Sequence, residues 1–163
     1  MPEAAQVQVY LAAPVFTQME RQWNRAFAAA LRTHAPGVEM VLPQDFRVEG
    51  RFNAPEHFAM LFDRCRESIR HSTAVVAVLE GADADSGVAF EVGFAHALGV
   101  PVVGLRTDYR EGQDRGLNLM LSHACRYCVR EFSFREDVDQ LAAATARRLR
   151  KLLDGGQSGE SWV

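Results

Sequence analysis

The stretch AVVAVLEGADADSGVAFEVGFAHALG, residues 74–99, decides the fold of this 163-residue chain. Its first part, Ala74–Leu79, is apolar on both faces of a strand, which is typical of a central strand in a parallel sheet. An acidic loop follows at 81–87, and residues 88–98 predict a helix that Gly99 ends. The stretch is therefore predicted to be one strand–loop–helix unit of an α/β protein.

Strands and helices alternate on both sides of this unit. Further strands are predicted at 7–13, 38–42, 100–105 and 127–129, and further helices between Thr17 and Pro36, from Pro55 to about His71 and from Phe134 to Leu153. This alternation predicts an α/β fold in which helices cover both faces of a five-stranded parallel sheet. We expect residues 1–163 to form a single domain, with 154–163 as a flexible C-terminal tail.

Composition and charge argue against several classes of function. A formal net charge of −3 creates no strong field to attract nucleic acid or an anionic membrane. No apolar run approaches the ~20 residues that cross a bilayer, and Met1–Gln6 carries no basic residue of a signal peptide. An odd count of three cysteines favours a reducing compartment over a disulfide framework, so we expect a cytoplasmic protein.

The sequence also lacks the common motifs for cofactors and metals. No G-x-G-x-x-G follows the first strand and no Walker motif occurs, so we predict no cofactor. Cys125 and Cys128 form a lone C-x-x-C without a second cysteine pair or a suitably spaced histidine pair. This pattern favours structural packing over a metal site.

Polar residues gather where the predicted strands end, which is where ligands of parallel α/β sheets bind. After the central strand, Asp85 or Ser86 can cap a helix that places Glu91 in about its second turn, among small residues. Grouped carboxylates suit cleavage at a sugar C1, because one can trap the oxocarbenium-like state while an acid assists the leaving group. The alternative is that Glu91 is a solvated helix carboxylate.

Two aromatic residues, Tyr10 and Phe16, flank the turn after the first strand. A tyrosine here can donate a hydrogen bond to a carboxylate and fix its rotamer. The alternative is that both rings are ordinary core aromatics.

Four segments resemble the nucleoside 2-deoxyribosyltransferase family. They are YLAAPVF (10–16), AVVAVLEG (74–81), DSGVAFEVGFAHALG (85–99) and RTDYR followed by NLML (106–110 and 118–121). Each segment alone is a weak signal, but the D-S-G-x-A-x-E-x-G-x-A block followed by N-L-M-L is more specific. The resemblance extends from Val9 to about Cys128.

The resemblance implies a flavodoxin-like (Rossmann-like) three-layer sandwich and an oligomeric transferase that acts on a nucleoside and a free nucleobase. It implies that Glu91 is a nucleophile that forms a covalent 2-deoxyribosyl-enzyme, which a second base attacks with retention. Asp85 is expected to hold the sugar hydroxyls or assist the base, and Tyr10 to point toward the nucleophile.

Other site residues are implied by the same match. Asn118 is expected to reach the active site of a neighbouring subunit. The family often has Asp or Asn where this chain has Cys65, and Asp63 is nearby. The first turn reads A-A-P where A-G-P is common, which would tighten the pocket. The expected substrate-binding residues are Ala12, Phe16, Asp63, Gly87, Asn118 and Met120.

Two other functions remain open. Related 5′-monophosphate N-glycosidases use water as the acceptor and need phosphate-binding groups near the first turn, where this chain offers only Thr17 and the more distant Arg21. A non-catalytic nucleotide-binding module is the second alternative. The D-S-G-x-A-x-E block argues against it, since a binding module needs no buried nucleophile.

The segment after Leu105 predicts a subunit interface. A charged loop runs directly into the apolar stretch Leu117–Leu121, which would be costly to expose on a surface loop. A partner subunit in a homodimer or higher homo-oligomer with shared active sites is the simplest cover. The alternative is that Leu117, Leu119 and Leu121 pack on their own sheet and Asn118 is a turn residue.

Overall fold

A computed structural model describes residues 7–51, 54–111, 113–132 and 137–155 of the protein. The strands are β1 (Val7–Ala12), β2 (Val38–Val41), β3 (Ala74–Val78), β4 (Val102–Arg106) and β5 (Tyr127–Arg130). The helices are α1 (Gln18–His34), α2 (Pro55–His71), α3 (Ser86–Ala97), α4 (Leu119–Ala124) and α5 (Val138–Leu153). Short 3-10 helices lie at Pro43–Asp45 and Gln113–Gly116.

The five strands form one parallel sheet in the order β2-β1-β3-β4-β5. This order confirms the predicted α/β, flavodoxin-like architecture. The direction of strand succession reverses between β1 and β3, so the chains that leave these strands diverge to opposite sides. In sheets of this kind the resulting crevice at the carboxyl ends of the strands is the usual ligand site.

Residues of β1 alternate between two apolar clusters, one on each face of the sheet. Val9 and Leu11 pack with α1 and α5, whereas Tyr10 and Ala12 pack with α2 and α3. The alternation follows from the two-residue repeat of a strand. It sends the Tyr10 side chain toward the same layer of helices that carries Glu91.

The short helix α4 is absent from the sequence prediction, which treats this segment as part of a surface loop. The apolar stretch Leu117–Leu121 agrees in part with the predicted subunit interface and in part with the alternative of packing within its own chain. Leu117 is buried in its own chain, as the alternative expects, while Leu119 and Met120 are exposed, as the interface requires. A helix of six residues is too short to produce a recognisable apolar period.

Several predicted boundaries are confirmed or shifted by a few residues. Thr17 and Glu20 form the predicted capping box at the start of α1. β4 begins and ends later than predicted, so that Arg106 belongs to the strand. The predicted start of α5 at Phe134 and most of the predicted tail, residues 156–163, lie outside the described residues. Across the described ranges, no helix is both long and apolar enough to cross a membrane.

Candidate active site

The centre of the candidate site is a hydrogen bond between β1 and α3. Tyr10 is fully buried, and its hydroxyl donates to Glu91 Oε1 at 2.5 Å. So short a bond is typical of a hydroxyl that donates to an ionised carboxylate. Glu91 is therefore neither a freely solvated carboxylate nor a simple surface residue of α3. Tyr10 is a core aromatic whose polar end has a specific partner.

The environment of Glu91 shifts its ionisation toward neutral pH. Burial raises the pKa of Glu91 to about 7, the Tyr10 hydrogen bond opposes that rise, and the charge of Asp85 adds to it. Burial and the nearby Glu91 also raise the pKa of Tyr10, so its phenol stays protonated. A half-buried carboxyl group that titrates near pH 7 at a ligand crevice is a candidate for chemistry.

The start of α3 places Asp85 and Gly87 below Glu91. Asp85 is the N-cap of the helix, and its Oδ1 accepts a hydrogen bond from the Val88 amide at 3.0 Å. A side chain at position 87 would begin only 3.0 Å from that same oxygen. Gly87 lies four residues before Glu91, on the same face of α3, and its missing side chain leaves the Asp85 carboxylate room to cap the helix.

The residue of α2 that faces this side of the sheet is Cys65, which is half-buried and packs against the apolar cluster that contains Tyr10. Asp63, by contrast, is exposed and accepts a hydrogen bond from Arg66 at 3.1 Å. Two residues are about 200° apart around a helix, so Asp63 and Cys65 face different directions. Cys65 therefore lies on the side of α2 that packs toward Tyr10, and the predicted role of Asp63 in substrate binding stays a prediction.

The turn between β1 and α1 is held by side chains of α1. Arg21 donates to the carbonyl oxygens of Val15 and Phe16 at 2.8 and 2.9 Å, and Asn24 donates to that of Pro14 at 3.0 Å. Phe16 is 74% exposed at this fixed turn, so the reading of Phe16 as a core aromatic is wrong. Ala12 is buried at the end of β1.

The last two predicted substrate-binding residues, Asn118 and Met120, lie on the surface of α4. The Asn118 side chain accepts a hydrogen bond from the Met120 amide at 2.9 Å, and Met120 is 72% exposed. Among the described residues, the hydrogen bond to the Glu91 side chain comes from Tyr10, and neither Asn118 nor Met120 takes part in it. Their predicted role in a neighbouring site remains a prediction.

A second polar network, missed by the sequence reasoning, joins the loops after β3 and β4. The Glu80 carboxylate accepts hydrogen bonds from the amides of Thr107 and Asp108 at 2.7 and 2.8 Å. Buried Arg106 donates to the carbonyl oxygens of Leu79 and Gly81 at 2.7 and 3.1 Å. The available signal was that Glu80 and Arg106 each occupy a strand end on neighbouring strands. The network fixes the loop that leads to Asp85.

The sheet order and the half-buried carboxyl group at its reversal point define a flavodoxin-like α/β protein with a candidate active site. The family model described as Nucleoside 2-deoxyribosyltransferase matches residues 9–121. The chain therefore belongs to the nucleoside 2-deoxyribosyltransferase family. A search of curated proteins finds no match.

Solved structures with the same fold include three that are informative. A conserved protein from Enterococcus faecalis V583 is 27% identical, with a TM-score of 0.68 over 88% of this chain and 99% of that one. The 2-deoxyribosyltransferase of Bacillus psychrosaccharolyticus is 22% identical, with a TM-score of 0.66 over 86% of this chain and 96% of that one. The CMP N-glycosidase of Clostridium botulinum is 16% identical, with a TM-score of 0.53 over 88% of this chain and 98% of that one.

Proposed function

We propose that this protein is a nucleoside 2-deoxyribosyltransferase that uses Glu91 as its nucleophile. The observation that carries the proposal is the 2.5 Å hydrogen bond from Tyr10 to Glu91, at the point where the strand order reverses. Membership of the family supports the same chemistry. The substrates would be a 2′-deoxynucleoside and a free nucleobase.

The reaction would proceed in two displacements at C1′ of the sugar. A Glu91 carboxylate oxygen forms a bond to C1′ while the C1′–N bond breaks, and the departing base keeps the electron pair and takes up a proton. A nitrogen of the second base then attacks C1′, loses its proton and releases Glu91 as a carboxylate. Two inversions give overall retention.

The environment of Glu91 fits both halves of this cycle. In its ionised form the carboxylate accepts the Tyr10 hydrogen bond, which leaves the other oxygen for attack on C1′. Because burial raises its pKa to about 7, the anion is a stronger base than an exposed glutamate and bonds more readily to carbon. Asp85 would contribute near the sugar or the base, where its carboxylate already caps α3.

The start of α1 favours a nucleoside over a nucleoside 5′-monophosphate. A helix N-terminus beside β1 is a natural phosphate site, because its free amides and dipole attract anions. Here the Glu20 carboxylate already accepts a hydrogen bond from the Thr17 amide at 2.7 Å, so a negative charge occupies that position. Arg21 is engaged with the carbonyl oxygens of the preceding turn. These contacts disfavour the monophosphate N-glycosidase alternative.

A base-exchange assay tests the proposal. The protein is incubated with 2′-deoxyinosine and free adenine or cytosine, and with each deoxynucleoside alone, and products are separated by chromatography. We expect new deoxynucleosides in the mixtures, and slower release of base in water alone. Release of base at the same rate with and without an acceptor would indicate a hydrolase instead. Turnover only of 5′-monophosphates would support the glycosidase alternative, and binding without turnover would support a non-catalytic module.

We further propose that the active site is completed by a second copy of the chain. Exposed apolar side chains of α2, α3 and α4 support an interface, because large exposed apolar patches usually mark contact surfaces. Phe90 of α3 contacts Phe62 of α2 with ring centres 5.7 Å apart, and both rings are about half exposed. On α4, Leu119 and Met120 are also exposed, next to Asn118.

Mixing two inactive variants tests shared sites. Glu91→Gln and Asn118→Ala subunits are dissociated, combined in equal amounts and reassociated. In a symmetric dimer half of the dimers are mixed, and each has one site with both native residues, so about a quarter of wild-type activity should return. Each variant treated alone is the control. A monomer at assay concentration, or a mixture no more active than its components, would contradict shared sites.

A further inference from the structure

We propose that Arg106 is a positioning residue, whose guanidinium fixes the loop between β3 and α3 and thereby the place of the Asp85 carboxylate. This inference rests on the proposed function, because it matters for the reaction only if Asp85 acts on the substrate. Arg106 is the last residue of β4 and is not among the site residues that the sequence predicts.

Arg106 is buried although it is charged. It is 2% exposed, and among the described residues it is the one charged side chain in the buried interior. The Asp108 carboxylate, 4.0 Å away, balances part of this charge. Burial of a guanidinium costs free energy, and an apolar side chain of similar size often stabilises a fold at least as well. A buried arginine at the carboxyl end of the sheet is therefore a candidate for a role beyond stability.

The hydrogen bonds of this guanidinium go to backbone carbonyl oxygens. It donates to those of Leu79 and Gly81, at 2.7 and 3.1 Å, where the chain leaves β3. Gly81 has a φ of +96°, and a side chain there would begin 3.1 Å from the Asp83 carbonyl oxygen, so the loop turns tightly at this point. Only residues 82–84 separate the anchored turn from Asp85. The place of Asp85 therefore depends on the anchor.

The loop after β4 closes over the same guanidinium, which also donates to the Arg110 carbonyl oxygen at 3.4 Å. Gly116 comes so close that an added side chain would begin 2.8 Å from that oxygen and 3.7 Å from Arg106 Nε. In the other direction, the Glu80 carboxylate accepts a hydrogen bond from the Thr107 amide at 2.7 Å. Each loop is thus held by a charged side chain from the end of the neighbouring strand. Shielding from water strengthens the bonds of the guanidinium.

The place of Asp85 matters because its carboxylate both caps α3 and, under the proposed function, meets the substrate. Its Oδ1 accepts a hydrogen bond from the Val88 amide at 3.0 Å, and Oδ2 would face the sugar or the base. A displacement of about 1 Å in such a group can lower turnover by up to about a hundredfold. Loss of the Arg106 bonds should therefore weaken the reaction through Asp85.

A double-variant comparison of Arg106 and Asp85 tests this route. Arg106→Met keeps the bulk and removes the donors, so kcat/KM for base exchange should fall about tenfold. In an Asp85→Ala background the same change should lower kcat/KM by less than about twofold, because the group that it positions is gone. An equal fall in both backgrounds would show a merely structural role and overturn the proposal.

Leu149→Ala is the matched control for lost stability. Leu149 is buried in the apolar cluster beneath α1 and α5, so its truncation destabilises the fold away from both loops. The kcat/KM of the folded control should stay near wild type. If Arg106→Met does not fold, Arg106→Gln replaces it, since glutamine keeps an amide donor but is too short to reach both carbonyl oxygens.

Hydrogen exchange of the Val88 amide reports the place of Asp85 without turnover. We expect exchange about tenfold faster in Arg106→Met than in Leu149→Ala, after correction for global stability measured in urea, because the cap bond is weakened. Exchange no faster than in the control would overturn the proposal. Faster exchange in a protein that shows no base exchange would support the positioning of Asp85 by Arg106 and overturn the transferase function alone.

Discussion

Replacing Glu91 by glutamine is expected to reduce base exchange roughly a thousandfold or more, because the variant has no charged oxygen to bond to C1′. Glutamine has nearly the same size, and its side-chain oxygen can still accept the hydrogen bond that Tyr10 makes at 2.5 Å. The fold should therefore survive the change. Turnover is measured under single-turnover and steady-state conditions, with circular dichroism to confirm folding.

Two further variants calibrate this loss. Asp85→Asn keeps an oxygen to cap the Val88 amide, so it should lower turnover less than Glu91→Gln and leave the melting temperature nearly unchanged. Glu67→Gln changes an exposed carboxylate on α2 whose partners are Arg70 at 3.5 Å and His71 at 3.8 Å on the same helix, so activity should be unaffected. A Glu91→Gln enzyme within a few-fold of wild type would exclude the nucleophile role.

The same substitution is expected to change how stability depends on pH. The pKa of Glu91 is raised from its ordinary value of 4.5 to about 7 by burial in the folded state. The folded state therefore binds the proton more tightly than the unfolded chain, and this contribution to stability is fully present below pH 4.5. It is lost as the pH rises through about 7, at a cost on the order of 3 kcal/mol.

Urea unfolding of wild type and Glu91→Gln at several pH values between 4 and 9 measures this contribution. As the pH rises across this range, the free energy of unfolding of the glutamine variant should increase relative to that of wild type by about 3 kcal/mol. The reason is that glutamine has no proton to lose. Glu67→Gln, which changes an exposed carboxylate, should follow wild type. Parallel stability curves for wild type and Glu91→Gln would show that Glu91 titrates normally in the folded protein.

The loss of folding stability when Glu91 ionises also helps to distinguish an enzyme from a non-catalytic binding module. A half-buried carboxylate that opposes folding at neutral pH is retained more readily where it reacts than where it only fills space. A non-catalytic nucleotide-binding module would gain stability from glutamine at this position. Observation of this pH dependence would therefore favour an enzyme over a module.

Much of the fold was predictable because its signals are local. The apolar runs of β1 and β3, the Thr17–Glu20 capping box and the Asp85 cap each depend on a few consecutive residues. The alternation of these elements then determines a parallel sheet, and the ends of its strands indicate where a ligand binds. Tyr10 and Glu91 could be placed near each other on this basis, together with the family resemblance.

The parts of the site that escaped prediction depend on the orientation of packed elements. Whether Asp63 or Cys65 faces the apolar cluster that contains Tyr10 depends on the rotation of α2 about its axis, which only the packing of the helix determines. The bonds from Glu80 to Thr107 and from Arg106 to Leu79 join residues far apart in sequence, so no local pattern reveals them.

The division of the apolar interior into two clusters has a consequence for protein engineering. The cluster beneath α1 and α5, which includes Phe27, Leu31 and Leu141, does not contain Tyr10, whose hydroxyl bonds to Glu91 on the other side of the sheet. Side chains on that side can be redesigned for heat resistance while the chemistry on the other side stays fixed. Under the proposed function, libraries aimed at a new base specificity belong on α2, α3 and the exposed turn that carries Phe16. Because the sheet separates the two regions, gains from both kinds of library should combine additively.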